Sequence, residues 1–355
     1  MTRTAFRATV AYQLFPSPET ILAEMPLPTA AVAGVAGNRA EVRAVLNGAD
    51  DRLLVITGPC SVHDPEAALE YAERLADAGL ADDLLIVMRA YFEKPRTVTG
   101  WTGLLCDPGL DGSFDVHRGL REARRLIADI TMLGLPVACE FLNPVAPHYF
   151  SDAVTWAAVG ARTTESQVHR QLASSLPMPV GFKNASDGDV QVAAEACQAA
   201  AAAHTYLGIT KAGMIGIVSS PGNPDCHVVL RGGRSGPNYF PAAVASALDT
   251  VEAAGLPRRV VIDASHGNSG KSHRRQETVA IAVAGQVCAG ERGIAGVMLE
   301  SNLVAGRQEP GRRSTLVYGQ SVTDPCMDFP TTISVLEALA AAVRTRRTLA
   351  GALGE

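Results

Sequence analysis

Aromatic residues make up only 5% of this 355-residue chain, so Ala, Val and Leu must do most of the packing. Long apolar runs are absent. The longest, such as Leu53–Thr57 and Leu84–Met88, are strand-sized and far short of the roughly 18 residues of a membrane span. A membrane partner is therefore not expected. Nor is there a continuous basic face. The net charge is -5 with a pI near 5.9, and Lys and Arg are scattered apart from Arg121–Arg125 and Lys271–Arg275. Those two runs read as solvated surface, and a nucleic-acid partner is not expected. Met1–Phe15 has arginines but no apolar stretch before a small-residue cleavage site, so no secretory signal is read there. The seven cysteines, an odd number, lack framework spacing, which fits a reducing cytoplasm better than a disulfide scaffold. There is no dinucleotide fingerprint, Walker loop or G-x-S-x-G elbow. Gly267–Ser272 (Gly-Asn-Ser-Gly-Lys-Ser) lacks the Walker four-residue gap, and Gly232–Gly236 reads as a loop near an anion site.

Hydrophobic residues reach 47% against 19% charged, so a large core is expected. Short β-branched runs alternate with Ala-rich helical stretches. The strands are read as Leu53–Cys60, Leu84–Ala90, Pro136–Leu142, Ala157–Thr163, Pro179–Asn184, Thr205–Thr210, Arg259–Ser265 and Gly296–Ser301. Strand–helix alternation over this length means parallel strands with helical crossovers. Eight units favour an α/β fold of the closed (β/α)8 TIM-barrel kind over an open doubly wound sheet. Residues 1–50 form an N-terminal extension with a helix over Ala30–Leu46, expected to serve oligomerisation or regulation. Residues 51–330 form the barrel, and 331–355 a C-terminal helix. An inserted β-hairpin is expected after the sixth strand, over Met214–Gly232, turning at Pro221-Gly222-Asn223-Pro224.

In such a barrel the C-terminal strand ends form the active face. The predicted strands end in Cys60, Arg89, Glu140 with Asn143, Arg162, Lys183, Asp263 with Ser265 and His266, and Glu300. Stability alone would place few charges there, because buried unpaired charge is costly. Cys60, His266 and Glu300, with Asp324 on a downstream loop, together suit a divalent transition metal. Singly, each has a plain structural reading, since a buried Cys is usually a small hydrophobe and Asp before Pro usually makes a turn. Arg89, Lys94, Arg96, Arg162, Lys183 and Arg231 form a cationic set suited to phosphate and carboxylate; salt bridges to barrel acids are the plain alternative.

These residues sit in stretches that resemble the type I 3-deoxy-7-phosphoheptulonate (DAHP) synthases of the enteric-bacterial and yeast-like subgroup. Among the matching stretches are Gly-Pro-Cys-Ser-Val-His-Asp-Pro (58–65), Met-Arg-Ala-Tyr-Phe-Glu-Lys-Pro-Arg-Thr (88–97), Gly-Ala-Arg-Thr-Thr-Glu-Ser-Gln-Val-His-Arg (160–170), Ile-Asp-Ala-Ser-His-Gly-Asn-Ser (262–269) and Ser-Val-Thr-Asp-Pro-Cys (321–326). The resemblance implies one divalent ion (Mn, Fe, Co or Zn) on Cys60, His266, Glu300 and Asp324. It implies phosphoenolpyruvate on Arg89, Arg162, Lys183 and Arg231, with Glu140 in the substrate-binding set. Erythrose 4-phosphate is implied on Lys94, Pro95, Arg96 and Thr97. Lys94, His266 and Asp324 are the implied catalytic groups, Lys94 and His266 being candidates for proton transfer. A cytoplasmic homodimer or homotetramer is expected. Two other readings stand beside it: a related synthase using another aldehyde, and an inactive homologue with a regulatory role. The chain departs from the family pattern at Ala212 and Met214, at Pro177, Tyr206 and Gly208 in the effector region, and after Asp324. Weakened or absent inhibition by Phe, Tyr and Trp is therefore expected.

Overall fold

The structure, a computed structural model, describes residues 11–353. Residues 1–10, part of the predicted extension and of the stretch read for a secretory signal, and residues 354–355 of the predicted C-terminal helix lie outside the described residues. The strands, in chain order, are β1 (Leu53–Gly58), β2 (Leu84–Arg89), β3 (Val137–Glu140), β4 (Trp156–Val159), β5 (Val180–Lys183), β6 (His204–Ile209), β7 (Ile215–Ser220), β8 (Cys226–Leu230), β9 (Val260–Asp263) and β10 (Ile294–Glu300). Eight of them close a parallel barrel in the order β1-β10-β9-β8-β5-β4-β3-β2. The expected (β/α)8 architecture is thus present.

Two boundaries differ from expectation. The sixth barrel strand is Cys226–Leu230, not Thr205–Thr210. The hairpin is β6–β7, antiparallel from His204↔Ser220 to Ile209↔Ile215. It precedes the sixth barrel strand instead of following it, so Met214–Gly232 spans half of the hairpin and a barrel strand. Burial explains the difference. All of Cys226–Leu230 is buried, whereas β6 and β7 alternate between exposed and half-buried. That alternation is the mark of a two-stranded ribbon lying on a surface. The Pro-Gly-Asn-Pro run is the entry to the barrel strand. Asn223 Nδ2 donates to the carbonyls of Ala173, Leu176 and Met178 at 3.1, 3.2 and 2.9 Å. Secondly, the last helix runs Phe329–Leu353 and packs against the helix His273–Cys288. It is the closing helix of the barrel, and a domain boundary at 330 would cut it.

The N-terminal helix Thr29–Asn47 closes the bottom of the barrel. Its Val42, Val45 and Leu46 pack with the inward side chains Leu54, Ile56, Leu85, Val87, Trp156, Val229, Val261 and Met298. The helix is fastened by Arg39, whose Nε donates to Val154 O at 3.0 Å. Trp156 fills the barrel interior, with Nε1 donating to His227 Nε2 at 3.1 Å. A Cβ on Gly181 would stand 2.4 Å from the Trp156 ring, so the neighbouring strand carries glycine there. No single helix among the described residues is long and apolar enough to cross a membrane.

The plug makes a test of the fold. Trp156→Ala leaves a cavity that the surrounding strands cannot collapse into, at an expected cost of about 3–5 kcal/mol. A denaturant titration checks it, and a loss under 1 kcal/mol, roughly that of a surface substitution, would contradict the interior packing described.

Candidate active site

The C-terminal strand ends surround a cavity of about 390 Å³. Every residue read as a ligand, substrate contact or catalytic group lines it: Cys60, Arg89, Lys94, Pro95, Arg96, Thr97, Glu140, Arg162, Lys183, Arg231, His266, Glu300 and Asp324; Asn143, Asp263 and Ser265, also read at the strand ends, do not. Parallel register brings them together. Gly58 aligns with Glu300, and Arg89 follows Met88 at the top of β2. Gly58 has φ +145, and a Cβ there would lie 2.9 Å from the Arg89 carbonyl oxygen, so glycine lets the two strand ends approach.

One wall is a group of potential metal ligands. Ligand atoms of His266, Glu300 and Asp324 all lie within 4.8 Å of one another. His266 has φ +50, an unusual backbone for a non-glycine residue. That geometry faces Nδ1 to Asp263 Oδ2 at 2.9 Å and Nε2 to Glu300 Oε1 at 3.9 Å. The Asp263 carboxylate lies at ion-pair distance from one ring nitrogen without the angle of a hydrogen bond, and the other nitrogen turns toward Glu300. Burial works against the Asp263 carboxylate, but His266 and Lys183 more than offset it and hold it well below the usual range. Glu300 accepts from Ser265 Oγ at 2.7 Å and from Arg89 Nη2 at 3.2 Å. Cys60, expected as the fourth ligand, is not within the three-residue group. Its Sγ lies 3.1 Å from Ser321 Oγ, 3.0 Å from Thr323 Oγ1 and 3.1 Å from Asp324 O. Burial pushes its thiol up, yet the hydrogen bond from Cys326 and the charge of Lys94 bring it down to about 6. A thiol so poised is partly thiolate at neutral pH, the form that binds metals.

Cations interleave with this group, Arg89 and Lys94 reaching Glu300 and Asp324 directly. Arg89 is 1% exposed and lies 4.0 Å over the Tyr91 ring. Lys183, 3% exposed, is 3.2 Å from Asp263. Lys94 Nζ donates to Asp324 Oδ2 at 2.6 Å. Burial disfavours the Lys94 ammonium, but Cys60, Glu300 and Asp324 outweigh it and raise its pKa. Burial likewise opposes the Asp324 carboxylate, and Lys94 brings it down to about 2. Asn184 accepts from the Arg231 amide at 2.7 Å and donates to Gly232 O at 3.1 Å, fixing the loop that carries Arg231. Glu140 lies against Gly160, where a Cβ would come within 2.6 Å of its Oε1.

A family model described as the DAHP synthetase I family matches residues 29–337. The chain belongs to that family. It is 50% identical over 356 residues to the phospho-2-dehydro-3-deoxyheptonate aldolase of Corynebacterium glutamicum, an alignment covering 98% of this chain and 96% of the relative. It is also 50% identical to the Phe-sensitive enzyme of that name from Escherichia coli, over 93% of this chain and 95% of the relative. The solved structure of the Francisella tularensis protein of that name matches with a TM-score of 0.94 at 46% identity, covering 96% of this chain and 100% of that one.

Among the further residues of this DAHP synthetase I chain that line the cavity are Tyr91, Glu93 and Lys271, which sequence reasoning did not place there. Lys271 belongs to a run read as solvated surface; it is exposed, but over the cavity mouth. The signal that could have found it is its place five residues after His266, to whose carbonyl its amide donates at 2.8 Å. Glu93 Oε2 accepts from the Leu142 and Asn143 amides at 3.3 and 3.2 Å. Its partners are main-chain groups of another strand end, which sequence does not announce.

Burial pushes the Glu93 carboxyl from 4.5 up to about 7, against those two amides. A carboxyl raised in the folded state binds its proton there first, so folded stability falls as pH rises between those values. Glu93→Gln cannot ionise and escapes that loss. The variant's thermal midpoint should gain on wild type as pH rises from 4.5 to 7; parallel curves would remove the assignment.

Proposed function

We propose that this chain condenses phosphoenolpyruvate with D-erythrose 4-phosphate to 3-deoxy-7-phosphoheptulonate and inorganic phosphate, the entry to the shikimate pathway and aromatic amino acids. The observation that carries the reading is one cavity that gathers a His266–Glu300–Asp324 ligand group together with Arg89, Lys183 and Arg231. Two phosphorylated substrates repel each other in water. Guanidinium and ammonium groups in fixed positions offset that repulsion and orient the reactants.

Arg89, Arg162, Lys183 and Arg231 hold phosphoenolpyruvate, with Glu140 at its edge. Lys94, Pro95, Arg96 and Thr97 hold erythrose 4-phosphate, where Pro95 stiffens the backbone between two cations. The donor set of imidazole, two carboxylates and the low-pKa thiol of Cys60 fits a divalent transition ion, and Mn, Fe, Co and Zn all suit such ligands. His266, Glu300, Asp324 and Cys60 would hold the ion, which would supply Lewis-acid polarisation of an aldehyde oxygen. C3 of phosphoenolpyruvate attacks C1 of the aldehyde. Lys94, kept as ammonium beside Asp324, is the group placed to give the new hydroxyl its proton. Water adds at C2 and its proton passes to solvent, since His266 keeps no nitrogen to take it with Nδ1 at Asp263 and Nε2 in the ligand group. The hemiketal phosphate then breaks its C–O bond and releases inorganic phosphate.

The same reading includes a homo-oligomer in the cytoplasm. Leu207 and Ile217, directly opposed in the hairpin, are 78% and 76% exposed, and Ile215 is 83% exposed. An apolar ribbon face of this kind suits a second copy of the chain. All seven cysteines are free, as a reducing compartment requires.

Phosphate release from phosphoenolpyruvate, assayed with a panel of aldoses with and without EDTA, tests the activity. Release should require erythrose 4-phosphate and stop on full chelation, returning with added divalent ion. Activity surviving chelation would reject the metal role, and preference for another aldehyde would reject the substrate.

The effector region supports a second expectation. Gly208 stands where a Cβ would press within 2.8 Å of Val218 Cγ2, and the Tyr206 hydroxyl is engaged by Ser175 Oγ at 3.0 Å. Inhibition by Phe, Tyr or Trp should be weak or absent. Strong inhibition by any of the three at micromolar concentration would reject this.

A further inference from the structure

After β9 the chain makes one helical turn, His266–Ser269, before the longer helix His273–Cys288 begins. That turn is closed by two successive residues with left-handed backbone: Gly270 has φ +60 and Lys271 has φ +61. The Gly270 amide donates to Gly267 O at 3.4 Å and the Lys271 amide to His266 O at 2.8 Å. This pair of bonds is a common helix ending, and it needs one left-handed residue, at the position glycine fills here. The second is a lysine, whose Cβ crowds a carbonyl oxygen in that conformation. As backbone, glycine would suit position 271 better. Local geometry therefore does not account for the side chain found there.

The turn brings Lys271 to the active-site cavity. Within the basic run Lys271–Arg275 it is the one residue that lines it. Three lysines do so in all: Lys94, Lys183 and Lys271. Lys94 is paired with Asp324 and Lys183 with Asp263. Among the described residues no carboxylate stands at ion-pair distance from Lys271. Its charge is nevertheless felt at Asp324, so the ammonium stands near the ligand group. Arg89 and Lys183 are buried, whereas Arg96 and Lys271 are exposed. An anionic group met by the exposed pair sits at the mouth, apart from the buried cations.

We propose that Lys271 is a further substrate-binding residue, holding the phosphate of the aldehyde substrate at the cavity mouth. The inference rests on the reading of this site as a condensing centre. In phosphoenolpyruvate the phosphate and the carboxylate sit on one carbon, a compact anion suited to the buried cations. In a four-carbon aldose phosphate the aldehyde and the phosphate sit at opposite ends. With its aldehyde at the His266–Glu300–Asp324 group, the phosphate extends toward solvent. Lys271 is tied to that group through its bond to His266, and its flexible side chain can follow the phosphate. An ammonium with no carboxylate of its own is free to form a charge-assisted hydrogen bond there.

Two measurements on the full-length protein test the assignment. Lys271→Gly removes the ammonium and suits the left-handed backbone, so its thermal midpoint should not fall. In the phosphate-release assay with divalent ion present, the variant should raise KM for erythrose 4-phosphate about tenfold, by loss of one charged hydrogen bond. KM for phosphoenolpyruvate should stay unchanged, and Lys271→Arg, which keeps the charge, should recover most of the loss. Acetylation of the wild-type protein by acetic anhydride, read by peptide mass spectrometry, needs no turnover. Erythrose 4-phosphate should slow modification of Lys271, and erythrose at the same concentration should not. An unchanged KM for erythrose 4-phosphate in Lys271→Gly, an equal rise for phosphoenolpyruvate, absent protection, or protection that erythrose reproduces overturns the role of Lys271. With an active wild type, any of these results leaves the condensation standing. A wild type that releases no phosphate with erythrose 4-phosphate refutes the condensation and this role together.

Discussion

Seven cations and four carboxylates share the active-site cavity, and this unequal balance is the constraint on which the rest of the molecule depends. Charges taken out of water are tolerated only where partners and hydrogen bonds replace hydration. Here the pairs Arg89–Glu300, Lys183–Asp263 and Lys94–Asp324, at 3.2, 3.2 and 2.6 Å, do so. The surplus of cations is left to anions that arrive from solution. The acids have a second use, because Glu300 and Asp324 also belong to the ligand group. A divalent ion would compete with Arg89 and Lys94 for their oxygens, so ion and substrate cations share one electrostatic system.

Such a system works only if its members cannot relax away from one another. The barrel supplies the rigidity through residues that never touch a reactant. Asp263 is fully buried and pins one face of His266. Asn268 Nδ2 bonds the carbonyls of Leu230 and Asp263 at 3.1 and 2.8 Å, joining the ends of two strands. Asn238 joins the Arg231 loop to the same network through its bond to Asn184 at 3.2 Å. The positive φ of His266 is held in place by these bonds, and local backbone strain of this kind persists only where surroundings over-determine it.

The strand ends were legible because a strand buried on both faces reads as a continuous apolar run, and its first polar residue marks where it leaves the core. That is true of Arg89 after Leu84–Met88 and of Glu300 after Val297–Leu299. The hairpin reads from sequence as a barrel strand because His204–Ile209 has the composition of one, while its alternating exposure, the mark of a ribbon, exists only in three dimensions. Glu93 was invisible for a different reason. A carboxyl whose partners are main-chain amides from a distant strand has no counterpart in sequence. Cys60 shows the limit of reading a ligand set: sequence places the thiol beside the group, and its present hydrogen bonds to Ser321 and Thr323 emerge only in three dimensions.

The two ends of the barrel use one principle differently. At the C-terminal end the acids face into the cavity and can bind a cation. At the N-terminal end Asp51 and Asp83 are engaged by Arg347. Between them lies the packing of Trp156, Met298 and Val42. β1, β9 and β10 span that packing and lead to Cys60, Asp263 and Glu300 at the active-site end.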